Sequence, residues 1–488
     1  DSVGRSCHDG LVDRLSTMDV SFLYFEETTT PMHVGAVLLF EVPDGGFDYD
    51  RLVQLISDRI SLVPRYRQRV KWVPGHLANP VWVDDPGFDI GYHVRRSALP
   101  RPGSDAQLRE LVGRIMARPL DRNRPLWEMY LVEGVAEGRF ALLSKTHHAM
   151  VDGVGAIDIG QVILDPTSES RHIEPATWNP GRTPSALELV VGAVTDAVRS
   201  PASIVDSLRS EAVDLQRVAS RVVEKSGGLF SALQTVARPP QSSPLNAPIG
   251  AARRFAAAEA DLADFKALHE AHGVTINDVV LAVSAGAIRS WLQQRGEPVT
   301  LRSTVRALVP VSVRDEVKAG TGSGNHIAAF LCELPIGEPK PLLRLQRIAY
   351  EMGQHKASGQ LTGARALAGL AGFAPPTLHS LGARVASGMS RRLFNLIITN
   401  VPGPQVELFA GGARLLKCYP VVPLARGQAL SIGVTSYNGR MFFGLNADRD
   451  ALPDVEFLAE ALLDELAALL ATLNGRSALG FGSTAAGD

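Results

Sequence analysis

Apolar runs of strand length and stretches of helical period follow one another along this chain. Pro31-Met32-His33-Val34-Gly35-Ala36-Val37-Leu38-Leu39-Phe40 is almost wholly apolar and is closed by Asp44-Gly45-Gly46, which predicts a buried strand; helical spacing then runs from Tyr49 to Ser61. Met129 to Val132 and Phe140 to Thr146 predict two further strands joined through the turn at Gly134 to Gly138, and Gly153 to Leu164 has helical spacing again. Beyond residue 250, Val279, Val280, Val283, Ala287 and Trp291 recur at helical period. Leu308 to Val313 predicts a buried strand ending in Arg314. Leu396 to Val401 predicts another, running into the rigid turn Pro402-Gly403-Pro404. Ala429 to Gly433 and Met441 to Leu445, joined through Tyr437-Asn438-Gly439-Arg440, predict a hairpin, and Val455, Leu458, Leu462, Leu466, Leu469 and Leu473 mark a last amphipathic helix.

Between these two patterned regions the character changes. Pro166, Pro175, Pro180 and Pro184 precede amphipathic helical sequence from Ser185 to Val236, and Pro239-Pro240-Gln241-Ser242-Ser243-Pro244 closes it. The expected organisation is therefore α/β, with an N-terminal half over residues 1–165, a linker over 166–247 and a C-terminal half over 248–488. Apolar positions in the linker helix, Leu187, Val190, Val191 and Val194, suit either packing on the body or contact with a membrane surface.

A length of 488 residues with 45% hydrophobic residues is ample for more than one core. The net charge of −2 gives no global electrostatic case for nucleic acid. Arg65, Arg67, Arg69 and Lys71 form one compact basic stripe, expected to line one face of a strand and to meet solvent, cofactor phosphates or an anionic lipid surface. Cys7, Cys332 and Cys418 are too scattered for a disulfide framework or a zinc site, which suits a reducing cytoplasm. The opening residues carry no apolar signal core. Ala366 to Gly382, the nearest approach to a membrane span, is interrupted by Pro375-Pro376 and His379, so no transmembrane helix is expected.

The candidate chemistry sits where the strand ending at Thr146 gives way to helix: Thr146-His147-His148-Ala149-Met150-Val151-Asp152-Gly153. Successive strand residues point to opposite faces, so one histidine addresses the cleft and the other supports it. A neutral imidazole can take a proton from a hydroxyl and return it to a leaving group, which is what acyl transfer needs. Asp152 before Gly153 also suits a helix cap. Thr275 and Asp278 have the spacing of a capping box, and a catalytic role for Asp278 stands beside that reading. No G-x-S-x-G elbow is present; Ala282-Val283-Ser284-Ala285-Gly286 falls within a helical pattern. Neither a Walker loop, a dinucleotide fingerprint nor a zinc motif is found, and no metal is expected. His33 reads as a core or edge residue and Trp127 as packed.

The pattern H-H-x-x-x-D-G resembles the signature of the acyl-CoA-dependent acyltransferase superfamily that includes chloramphenicol acetyltransferase, plant acyltransferases and peptide-synthetase condensation domains. Pro125-Leu126-Trp127, His147 to Gly153, Asn277-Asp278-Val279-Val280-Leu281-Ala282 and Asn400-Val401-Pro402-Gly403-Pro404, in this order, closely resemble the bacterial wax ester synthase/acyl-CoA:diacylglycerol acyltransferase family. Pro31 to Gly35 and Pro310 to Arg314 resemble it as well, so the likeness covers nearly the whole chain. It implies two chloramphenicol-acetyltransferase-like halves, each a mixed sheet with flanking helices, with an active-site channel between them. No internal repeat is detectable in the sequence itself.

The resemblance also implies that His148 is the general base and that Asp152 is mainly structural, with His147 supporting the strand end. Gly153, Asn277, Asp278, Arg314, Thr399, Asn400 and Ser431 are expected in substrate-binding or supporting positions: Arg314 as one candidate arginine partner for Asp152, and Thr399, Asn400 and the Ser431 to Ser436 strand as candidate oxyanion donors. The expected reaction moves a long-chain acyl group from acyl-CoA, a co-substrate rather than a resident cofactor, to diacylglycerol or a long-chain alcohol. The expected setting is cytoplasmic, peripheral at the inner face of a membrane or at a lipid droplet. The rival expectation is a non-catalytic lipid carrier on the same fold.

Overall fold

A computed structural model describes residues 13–151, 159–171, 173, 177–199, 240–241, 243–313, 326–357 and 393–478. Within them lie fourteen strands: β1 (His33–Glu41), β2 (Gln68–Lys71), β3 (Val81–Asp84), β4 (Val94–Ala98), β5 (Trp127–Val135), β6 (Arg139–His147), β7 (Arg253–Asp261), β8 (Val305–Val313), β9 (His326–Leu334), β10 (Leu396–Pro402), β11 (Phe409–Ala410), β12 (Ala413–Val421), β13 (Leu430–Tyr437) and β14 (Arg440–Asp448). The helices that matter below are α1 (Thr17–Phe25), α2 (Tyr49–Arg59), α3 (Ile90–His93), α4 (Asp105–Met116), α5 (His148–Val151), α6 (Ile159–Val162), α7 (Ala186–Arg199), α8 (Leu262–His272), α9 (Ile276–Gln294), α10 (Pro341–Ala357) and α11 (Val455–Ala478).

Two six-stranded sheets dominate, ordered β11-β12-β1-β6-β5-β4 and β7-β14-β13-β10-β8-β9, with β2 and β3 forming a separate ribbon. The central strands of the first sheet, β1, β5 and β6, are largely apolar on both faces because both faces are covered. Leu38, Phe40, Met129, Leu131 and Leu142 pack against Val20 and Leu23 of α1 and Leu52 and Ile56 of α2. Their alternates Val37, Leu39, Tyr130, Val132 and Leu143 pack against Leu108, Leu111, Val112 and Ile115 of α4. Ser104 caps α4 through a complete capping box with Gln107. The β5–β6 hairpin forms as expected, with Gly134, Glu137 and Gly138 at positive φ in its turn. Asn438 and Gly439, at φ 44° and 79°, make the two-residue turn between β13 and β14. In the second sheet, β7, β8, β10, β13 and β14 share one core with α8, α9, α10 and α11.

Halves along the sequence are not separate bodies in space. β11 and β12, from residues 409–421, complete the first sheet, where β12 pairs antiparallel with β1 from Gly35↔Val421 to Phe40↔Leu415. The far end of β12 lies on the second sheet at Gly433 and Gly444, which face each other across β13 and β14. A methyl group at Gly444 would run into the Pro420 carbonyl, and one at Gly433 would come within 2.9 Å of Val422. Glycine at this register pair is what lets the sheets meet. On the other side α4 bears on β7, with Gly113 facing the Arg253 carbonyl and Phe255 entering the α4 core.

The basic stripe does not line a strand face. Pro64 starts a short 3-10 turn through Arg67, so only Arg69 and Lys71 belong to β2. Each cation has its own local partner: Arg65 lies 4.5 Å over Trp82 and pairs with Asp13, Arg67 lies 4.0 Å over Trp178, Arg69 is 3.9 Å from Asp85, and Lys71 donates to the Pro184 carbonyl. Trp178 and Pro184 belong to the predicted linker, so part of this stripe holds the linker against the body. Helix α7 packs through Leu189 and Ala193 onto Val73, Val81 and Val83, while Leu187, Val191 and Val194 face solvent. Ala366 to Gly382, Cys7 and the linker helix beyond Arg199 lie outside the described residues. Among the described residues no single helix is long and apolar enough to cross a membrane.

Candidate active site

Ser16 caps α1 by accepting the Asp19 N–H, and the helix carries Phe22 toward the end of β6. There the phenyl ring stacks on the His148 imidazole, with centroids 4.0 Å apart and planes 20° from parallel. His147 is the last residue of β6 and is fully buried opposite His33 of β1; His148 opens α5 and is only partly covered. The strand ends between the two histidines. Their main chain is held as well, since the His147 N–H donates to the Leu126 carbonyl and the His148 N–H to the Met32 carbonyl, at 2.9 and 2.8 Å.

His147 Nδ1 accepts the Ala149 N–H at 3.1 Å, which leaves that ring's proton on Nε2. Nε2 faces the buried Glu26 carboxylate at 3.7 Å, an electrostatic contact longer than a direct hydrogen bond. Glu26 also accepts from Arg122 Nε at 2.9 Å and Nη2 at 2.6 Å, and from the Met32 N–H at 3.2 Å. Burial alone would raise its carboxyl, but His147 and Arg122 overcome that and hold it down at about 2. His148 is pushed the other way, to about 4, mainly by burial and further by His147. It is therefore neutral at pH 7. Its Nδ1 is enclosed, so Nε2 is the nitrogen left to exchange a proton with a ligand.

Two supporting expectations hold nearby. Trp127 is fully buried, donating from Nε1 to the Tyr66 carbonyl and stacking on His93. His33 is buried, with Nε2 donating to the Met116 carbonyl. Asp152, Gly153 and Arg314 lie outside the described residues. Asn277 and Asp278 open α9, where both bonds of the capping box form: Thr275 Oγ1 accepts the Asp278 N–H at 3.2 Å and Asp278 Oδ2 accepts the Thr275 N–H at 2.8 Å. Ser284 lies inside that helix and bonds to the Val280 carbonyl.

Thr399, Asn400 and Ser431 are on the second sheet, where β10 and β13 run parallel with Ile397↔Ser431 and Thr399↔Gly433 in register. Alternation places Ser431 and Thr399 on the face turned to β12, and Asn400 on the opposite one. The Ser431 hydroxyl donates to the Val422 carbonyl at 2.7 Å. Among the described residues no hydrogen bond joins these three to the histidines. The two histidines are thus brought together with Phe22, Glu26, Met32 and Arg122, none of which had been singled out in the sequence. Among the described residues no three His, Cys, Asp or Glu side chains are grouped to hold a metal.

The arrangement is a neutral, largely covered imidazole on a tightly bonded strand end. Residues 15–280 match the model of the wax ester synthase/diacylglycerol acyltransferase catalytic domain, and residues 323–470 match that family's C-terminal domain. The chain belongs to this family. It is 33% identical to the probable diacylglycerol O-acyltransferase tgs1 of Mycobacterium tuberculosis H37Rv, over 94% of this chain and 96% of that one. It is 35% identical to tgs2 of the same strain, over 93% and 98%. Among solved structures it is similar to the wax ester synthase/diacylglycerol acyltransferase of Marinobacter aquaeolei VT8, with a TM-score of 0.68 and 28% identity over 95% of this chain and all of that one. The starter condensation domain of rhizomide synthetase RzmA, at 14% identity and a TM-score of 0.53 over 96% and 94%, shares the fold. Two sheet-rich halves of the acyltransferase and condensation-domain type are what the sequence had led us to expect.

Proposed function

We propose that this wax ester synthase/diacylglycerol acyltransferase moves a fatty acyl group from acyl-CoA to the hydroxyl of diacylglycerol, and to long-chain alcohols, with His148 as general base. The observation that carries the reading is the state of His148: a neutral ring with one nitrogen enclosed and one edge open, fixed at a strand end. Nε2 takes the proton of the acceptor hydroxyl as its oxygen attacks the thioester carbonyl. The tetrahedral oxyanion then collapses, the C–S bond breaks, and the coenzyme A thiolate leaves with the proton held on His148. The family's co-substrate, acyl-CoA, thus needs no covalent enzyme intermediate. Ser144, four residues before His148, accepts the Ala36 N–H inside the sheet, and burial raises the Cys332 and Cys418 thiols, so none of these is an activated nucleophile.

Oxyanion stabilisation falls to Thr399 in this reading, because the Ser431 hydroxyl proton is committed to Val422 and Asn400 lies on the opposite face of the sheet. Asp152, Gly153 and Arg314 keep their proposed supporting roles. Asn277 and Asp278 support the start of α9. The deciding experiment supplies purified protein with labelled acyl-CoA and diacylglycerol. Free thiol and triacylglycerol in equal amounts support the enzyme. Binding of both lipids without thiol release would establish the carrier instead.

We also propose peripheral contact with a lipid surface, now through α7 rather than the basic stripe. Leu187 is 73% exposed, and Val191 and Val194 are each more than half exposed on the side of the helix turned from Leu189. Flotation with liposomes should drop sharply in Leu187→Asp/Val191→Asp. Undiminished flotation would remove this face from consideration.

A further inference from the structure

Glu26 sits at a branch point under the histidine pair. One carboxylate oxygen accepts the Met32 N–H, and the carbonyl of the same Met32 receives the His148 N–H. The other oxygen faces His147 Nε2, and the opposite nitrogen of that ring receives the Ala149 N–H. The peptide groups on both sides of the His148 α-carbon are therefore tied to one carboxylate, one by hydrogen bonds through the Met32 main chain and the other through the 3.7 Å electrostatic contact of His147. Arg122 secures that carboxylate from behind with two nitrogens and gives a further bond to the Leu23 carbonyl. The Glu26 side chain is buried, so its charge is little diluted by water, although its partner Arg122 reaches it from the surface.

The imidazole of His147 has two neutral forms, and only one fits. With the proton on Nε2, Nδ1 is free to accept from Ala149, and the N–H points at the negative carboxylate. With the proton on Nδ1, two N–H groups would oppose each other at 3.1 Å and the lone pair of Nε2 would face a negative charge. The Ala149 N–H and the carboxylate select the first form together, and the carboxylate is the part of that selection a side-chain change can remove.

We infer that Glu26 is a positioning residue for the acyl transfer: it fixes the tautomer of His147 and the Met32 peptide, and through them the angle at which His148 meets the acceptor hydroxyl. This rests on the reading of His148 as the base. It adds a residue that touches neither substrate yet sets the rate, because a base displaced by a fraction of an ångström loses much of its effect.

Glu26→Gln keeps the size of the side chain and removes the charge. It should lower kcat about tenfold or more while leaving KM for both lipids within about twofold, as expected of an interaction felt only in the transition state. In a His147→Gln background the same change should have a much smaller effect on kcat, limited to what passes through the Met32 main chain. A second readout is independent of turnover: nitrogen NMR of histidine-labelled protein, with the His147 signal identified by its loss in His147→Gln. Nδ1 should read as unprotonated and Nε2 as protonated in the parent protein, and the two should mix in Glu26→Gln. Equal kcat in the folded Glu26→Gln protein, full additivity with His147→Gln, or an unchanged tautomer would each overturn the inference. Should Glu26→Gln not fold, Glu26→Asp keeps the charge for Arg122 but draws it back from His147, and the same three measurements apply. If the parent protein releases no thiol, the reading of the function fails, and the NMR measurement still decides what Glu26 does.

Discussion

Phe22→Ala should move the acid limb of the rate profile, because the phenyl ring covers one face of His148 at 4.0 Å and burial is the largest cause of that imidazole's fall to about 4. Removing the ring admits water to the imidazole face, stabilises the charged form and carries the apparent value back toward the ordinary 6.5. The base works only when neutral. At pH 5 a group titrating at about 4 is roughly 90% neutral, whereas one at 6.5 is only about 3% neutral. Complete exposure would therefore cut kcat/KM at pH 5 about thirtyfold relative to its own plateau, and recovery of half the shift about threefold. The assay is thiol release from acyl-CoA at subsaturating substrate between pH 4.5 and 8, since kcat/KM reports the free enzyme. Circular dichroism at each pH separates this from unfolding. If the ratio of kcat/KM at pH 5 to that at pH 7.5 is the same in both proteins, stacking on Phe22 does not keep the base neutral.

His148→Ala should lower kcat by about 10²- to 10⁴-fold in a folded protein, and His147→Ala by less; near-normal turnover in the first would refute the base assignment. Asp278→Ala removes the bond from the Thr275 N–H to the carboxylate, leaves the backbone bond to Thr275 Oγ1, and should cost about 1 kcal/mol, read as a lower unfolding midpoint with kcat unchanged. A collapse of kcat at constant midpoint would instead make Asp278 catalytic. Burial, helped by Lys145, holds His33 down at about 3, so below the ordinary 6.5 the unfolded chain takes up a proton that the folded one refuses. That contribution to stability is complete above about 6.5 and is lost as pH falls toward 3. His33→Gln, which still offers the Met116 carbonyl a donor, should flatten the denaturation midpoint against pH across this window.

How much was legible depended on where the forces lie. β1, β5, β6, β8, β10 and the β13–β14 hairpin could be read because both faces of their sheets are covered, which leaves unbroken apolar runs bounded by turn residues. β12 could not. Ala413-Arg414-Leu415-Leu416-Lys417-Cys418-Tyr419-Pro420-Val421 mixes charge, sulfur and proline, because Arg414 pairs with Glu41 and Lys417 with Glu259 while Pro420 abuts Gly433 and Gly444 of the other sheet. The basic stripe misled because alternation was assumed through Pro64 to Arg67, where proline favours a tight turn instead. The histidine pair announced itself by adjacency and by the strand before it. Glu26, Phe22 and Arg122 carry no such spacing; they reach the site only through the packing of α1 and the pairing of His33 with His147. Asp278 shows the reverse, a residue whose local capping pattern fully describes its hydrogen bonds.

These dependences also explain why the second sheet matters to histidines carried by the first. The segment from Glu26 to Met32 supplies the carboxylate beneath His147 and the carbonyl that holds His148, and it is gripped from the other half of the chain. Arg253, buried at the start of β7, donates to the Thr29 carbonyl while its other nitrogen bonds to the Gly250 and Ala252 carbonyls. Arg426 pairs with Glu27 at 3.0 Å. β12 covers the edge of β1 directly after this segment, so without the C-terminal half β1 would present a row of unpaired backbone groups next to the site. A buried arginine stripped of its acceptors is costly, and so is an apolar strand stripped of its neighbour. The base, its support and the strand beneath them therefore form a single cooperative unit with contributions from both ends of the chain.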